Sequence, residues 1–166
     1  MNRSSYPAFV KSIWTEPGEQ TERGLSIAAL GLIGECGEVC EVLLQEITPT
    51  SEANLVDECG DVLYYATVLA DWKGMHIEDV WPVLRTVHVG GRFEAGCTLA
   101  MNAKEVSERV KKLIRDGKDP SRSEIRAWLR GTLAALENVL HLADASLHDA
   151  MDANVAKLEV RYAHAL

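Results

Sequence analysis

Four acids set in two pairs carry the chemistry that this sequence offers. Glu35 and Glu38 stand in Gly34-Glu35-Cys36-Gly37-Glu38, and Glu58 and Asp61 in Asp57-Glu58-Cys59-Gly60-Asp61. Carboxylates three residues apart lie on the same side of a helix, close enough to share one cation. Two such helices packed together would gather four carboxylates, which repel one another and resist burial. A divalent cation resolves that conflict, and oxygen-only donors select Mg2+ or Mn2+ over zinc. The same spacing is also met on a solvated face of an acidic chain. An oxygen-bridged di-iron centre would need Glu-x-x-His on two helices. None of His76, His88, His141, His148 and His164 has an acid three positions earlier.

Glycines crowd the same segments. Each Gly inside a helix costs about 1 kcal/mol against Ala, so Gly31, Gly34, Gly37 and Gly60 imply a close approach by a neighbouring helix or a ligand. The elements that must position the acids read as helices throughout. Tyr6, Phe9, Val10, Ile13 and Trp14 form one apolar stripe, ended by Pro17-Gly18. A longer helix is expected from Thr21 to Ile47, stopped by Thr48-Pro49, and a third from Glu52 to Lys73. That third helix is apolar almost all round, which places it in the middle of a bundle. Gly74 suits its C-terminal cap, and Pro82 delays or kinks anything between residues 77 and 89. Gly90-Gly91 marks a joint. Beyond it the pattern predicts helices over Leu99–Asp116, from Ser121, and over Leu147–Ala163. Ser121/Glu124 and Ser146/Asp149 have capping-box spacing. The fold class is an all-α helical bundle.

The 166 residues suit one domain, and 47% apolar types suffice for a core. A formal charge of −8 argues against duplex nucleic acid or an anionic membrane surface as partner. The apolar runs fall short of the roughly 20 residues that span a bilayer, and residues 1–5 lead into no signal-like stretch. A cytoplasmic protein is the expectation. Cys36, Cys40, Cys59 and Cys97 include no Cys-x-x-Cys and read as small buried hydrophobes in a reducing compartment.

The acidic motifs, with Leu30-Gly31-Leu32 before the first pair and Gly60-Asp61-Val62-Leu63-Tyr64-Tyr65 at the second, resemble the MazG-like all-α NTP pyrophosphohydrolases. These are related to the dimeric dUTPases and the dCTP pyrophosphatases. Asn154, Lys157, Leu158, Arg161 and Tyr162 are similar to the closing segment of that family, whereas residues 82–145 match nothing in its short members. The resemblance implies Mg2+-dependent hydrolysis of a nucleoside triphosphate to the monophosphate and pyrophosphate. Glu35, Glu38, Glu58 and Asp61 would hold the metal, with Glu38 also orienting the attacking water. Lys157 and Arg161 would hold phosphate oxygens, and Asn154 would contact phosphate or sugar. Phe9, Trp14, Tyr65 and Trp72 are candidates to stack on a base. A homo-oligomer, as a dimer, is implied as well. Two alternatives stand beside this reading. One is a helical interaction module docking through Trp81 and Trp128; the other is a pyrophosphohydrolase of an alarmone or modified nucleotide.

The chain also suggests a weak internal repeat within its single domain, residues 1–89 against 92–166. Gly37-Glu38-Val39-Cys40-Glu41 aligns with Lys104-Glu105-Val106-Ser107-Glu108, Gly60-Asp61-Val62-Leu63 with Gly131-Thr132-Leu133-Ala134, and Ile77-Glu78-Asp79-Val80 with Leu147-His148-Asp149-Ala150. Only one acid survives in the second copy, and the first has Leu84 and Val87 where Asn154 and Lys157 would fall. Such complementary losses describe a fused pseudo-dimer with one site; a plain helical insertion over residues 82–145 is the alternative.

Overall fold

A computed structural model describes residues 5–14, 21–81 and 90–162. Pro17-Gly18, Pro82, Leu84, Val87 and Ala163, which entered the expectations above, lie outside the described residues. Seven helices follow in order: α1 (Tyr6–Ile13), α2 (Glu22–Leu43), α3 (Pro49–Trp72), α4 (Ile77–Val80), α5 (Arg92–Asp116), α6 (Arg122–His141) and α7 (Leu147–Arg161). No strand occurs among the described residues. Among the described residues, no helix is long and apolar enough to cross a membrane.

The largest departure from expectation lies between α2 and α3. Thr48-Pro49 begins a helix instead of stopping one. The Thr48 side chain accepts from the Ser51 N–H at 3.1 Å, and Ser51 Oγ accepts from the Thr48 N–H at 2.9 Å. With Pro49 at the first helical position, where its missing N–H costs nothing, these contacts make a complete capping box. α2 therefore ends at Leu43, earlier than Ile47, and Arg92 closes it. The Arg92 guanidinium donates to the carbonyls of Leu43 at 3.0 Å and Val42 at 3.2 Å, placing a cation at a helix C-terminus. The same arginine opens α5, which starts seven residues before Leu99 with Gly91 as its N-cap.

α3 occupies the centre, packed against α1, α2, α4, α6 and α7, while α5 packs against α2 and α6. Leu55, Cys59, Val62, Leu63, Ala66 and Leu69 are buried along it. Cys36 and Cys59 are buried as expected. Cys97 is exposed and Cys40 only half-buried, so those two are not core hydrophobes.

The ends of α3 and α6 share one geometry. After α3, the Met75 N–H donates to Ala70 O, Gly74 has φ +60°, and His76 and Asp79 form a capping box for α4. After α6, the Ala145 N–H donates to Leu140 O, Asp144 has φ +52°, and Ser146 and Asp149 cap α7. Each pair of equivalent positions is separated by 70 residues. Burial along the two helices follows that register: Leu55, Cys59, Val62, Leu63 and Ala66 are buried, and so are Ile125, Leu129, Thr132, Leu133 and Leu136.

Candidate active site

α2 and α3 are joined by five residues and pack along their length, which brings the two acidic pairs face to face. Glu35 and Glu38 come from α2 and Glu58 from α3. Each offers a carboxylate oxygen, and these oxygens all lie within 4.8 Å of one another. Three like charges at that spacing oppose ionisation. Burial first, then the charges of Asp61, Glu38 and Glu58, push the Glu35 carboxyl up to about 7. Glu58 is raised in the same direction by burial, against the opposing pull of Lys157. Hard oxygen donors, close enough to converge and poorly neutralised by their surroundings, fit a divalent cation of the Mg2+ type.

Asp61 is treated differently from the other three acids. One of its oxygens accepts from Asn154 Nδ2 at 2.8 Å and the other from Lys157 Nζ at 2.5 Å, both on α7. Gly60 makes this approach possible: a Cβ there would lie 2.6 Å from the Ala150 carbonyl oxygen and 2.9 Å from Asn154 Cβ. Gly31 serves a second contact, since a Cβ at that position would meet the Tyr65 ring at 2.4 Å. Gly34 and Gly37 have open space where a side chain would project, so the close approach expected of all four glycines holds at only two.

Beside Glu35 and Asp61 opens a cavity of about 170 Å3, lined by Trp14, Tyr64, Tyr65, Arg161 and Tyr162. Its aromatic wall is built edge to face. Tyr64 and Tyr65 have ring centroids 5.1 Å apart at 81°, and Trp14 meets Tyr65 at 6.4 Å and 88°. The Trp14 indole N–H is buried and has no partner among the described residues.

Of the residues expected at the site, Glu35, Glu38 and Glu58 converge, Asp61 sits beside them on α3, and Lys157 and Arg161 come to the same end from α7. Asn154 is fully buried with its amide engaged at both ends, by Asp61 and by the Tyr6 hydroxyl. Both functions of its amide are thus engaged within the protein, one of them by an acid of the site. Among the aromatics, Trp14 and Tyr65 line the cavity. Trp72 is buried beneath Lys73, whose Nζ sits 4.4 Å from its ring, and Phe9 stacks on Tyr6, so neither faces the site. Trp81 is buried against His148, whereas Trp128 is half-buried with the Arg109 guanidinium over its ring. Sequence reasoning passed over Tyr6 and Tyr64 because their spacing reads as core; the hydroxyl of a buried tyrosine, which needs a partner, was the available signal.

Comparison with known proteins agrees with the acidic motif. Residues 24–85 match the MazG nucleotide pyrophosphohydrolase domain. No curated protein and no solved structure matches the chain.

Proposed function

We propose that this chain, whose residues 24–85 match the MazG nucleotide pyrophosphohydrolase domain, is a MazG-like NTP pyrophosphohydrolase that cleaves nucleoside triphosphates between the α and β phosphates, releasing a monophosphate and pyrophosphate. The observation that carries this reading is the convergence of Glu35, Glu38 and Glu58 at the mouth of an aromatic cavity that also holds Arg161. Glu35, Glu38 and Glu58 would hold Mg2+ or Mn2+, with Asp61 alongside. When bound, the ion supplies charge to neutralise the polyphosphate and lowers the pKa of water.

The chain's own residues do the rest. Glu38, the most exposed of the three converging acids, accepts the proton of the attacking water and orients it. Lys157 and Arg161 hold phosphate oxygens. Tyr65 and Trp14 flank the base, and the Trp14 indole N–H, which has no partner among the described residues, donates to an acceptor on it. Incubation with a panel of NTPs and dNTPs plus Mg2+ should release pyrophosphate, and Glu38→Gln should abolish it. A folded protein that turns over no nucleotide would favour the interaction module. Turnover confined to an alarmone or a modified nucleotide would keep the chemistry and change the substrate.

The recurring turns and the shared burial register support an internally duplicated chain, its acids drawn from residues 1–89 and its cations from 92–166. On the sequence alignment, Asn102, Glu105, Leu129 and Thr132 take the places of Glu35, Glu38, Glu58 and Asp61, leaving one acid. A homodimer is supported by Leu30, 69% exposed, beside an apolar groove of about 400 Å3 between α2 and α5.

A further inference from the structure

We propose that Tyr6 is a positioning residue for the acidic centre: its hydroxyl fixes the Asn154 amide, and that amide in turn holds Asp61 beside the cation-binding acids. The inference rests on the pyrophosphohydrolase reading and adds to it a residue from α1, which carries none of the acids. The Tyr6 hydroxyl donates to Asn154 Oδ1 at 2.7 Å, and Asn154 Nδ2 donates to Asp61 Oδ1 at 2.8 Å. Both Tyr6 and Asn154 are fully buried, so bulk water does not compete for the bond between them.

The order of donors follows from chemistry. An ionised carboxylate can only accept, so Asn154 must turn its NH2 group toward Asp61. Its carbonyl oxygen then faces the opposite way and needs a donor in a dry environment. A phenol meets that need because it remains protonated: burial and the Asp61 charge hold the Tyr6 hydroxyl well above its ordinary pKa. Were the amide reversed, a carbonyl would confront a carboxylate and a phenol would lose its acceptor. Tyr6 thus decides which face of Asn154 meets Asp61. Lys157 holds the other oxygen, and the plane of the carboxylate is fixed by two donors from one helix. Each Asp61 oxygen still has a lone pair for a metal.

Tyr6→Phe keeps the ring and removes only the hydroxyl, so it separates this role from core packing. Two measurements on the metal-free protein need no nucleotide. NMR should show the Asn154 side-chain NH2 protected from solvent exchange in the wild type and exchanging at least about tenfold faster in Tyr6→Phe. Electron paramagnetic resonance titration with Mn2+ should give an affinity about fivefold weaker in Tyr6→Phe, the effect of one buried neutral hydrogen bond. Asn154→Ala should weaken Mn2+ binding by at least as much, and the double variant should bind as Asn154→Ala does. Wild-type Mn2+ affinity in Tyr6→Phe, or losses that simply add in the double variant, would overturn the assignment. Failure of the wild type to bind Mn2+ would remove the metal centre and this inference together. Mn2+ binding that responds to Tyr6→Phe in a protein inert toward every nucleotide would sink the substrate reading alone.

Discussion

Glu35 concentrates the electrostatic tension of the site. It is half-buried, and its carboxyl is pushed up to about 7 from an ordinary value of 4.5 by burial and three neighbouring acids. A folded state that holds a proton the unfolded chain has released loses stability as pH rises across that interval. The metal-free protein should therefore resist urea less at pH 7.5 than at pH 5, with the loss developing between about 4.5 and 7. Saturating Mg2+ should reverse the trend, because ligation requires the ionised form. Mn2+ affinity should climb with pH through about 7 as the competing proton departs. A chelated protein whose urea midpoint rises over the same range would mean that Glu35 is ionised in the fold.

At the scale of elements, the crossing of α3 over α7 depends on a missing side chain. Gly60 leaves room for the Ala150 carbonyl and for Asn154, and a methyl group there forces the helices apart. Gly60→Ala should destabilise the fold by about 1–3 kcal/mol despite the better helix propensity of Ala. It should also slow turnover by loosening the Asn154–Asp61 bond. Thermal melts together with steady-state kinetics test this; a variant that gains stability would show that the crossing tolerates the methyl. The helix boundaries teach a related lesson. The Ser121/Glu124 and Ser146/Asp149 caps are read from local spacing and are formed as expected, since a capping box needs only residues three positions apart. The Thr48/Ser51 box escapes the Ser/Thr-x-x-Glu/Gln pattern because serine stands at its third position. The early start of α5 escapes it too, as Arg92 finds its partners 49 and 50 residues away.

Across the whole molecule, the site is assembled from both ends of the chain. Lys157 pairs with Asp61 across 96 residues, and Tyr6 reaches Asn154 across 148. Lys157→Ala should cut kcat/KM by about 10- to 100-fold, the scale of a charge-assisted hydrogen bond. Unchanged kinetics would remove the closing helix from the site. The sequence by itself determined the all-α class, the buried central helix and the acids Glu35, Glu38 and Glu58, because helical periodicity and three-residue spacing are local properties that any helix displays. Only the tertiary structure decided that Asn154 and Lys157 bond Asp61, that the Tyr6 hydroxyl bonds Asn154, and that Trp14 lines a cavity beside Glu35. Those facts depend on which faces meet when distant helices pack, and a pattern along one helix does not encode its partner.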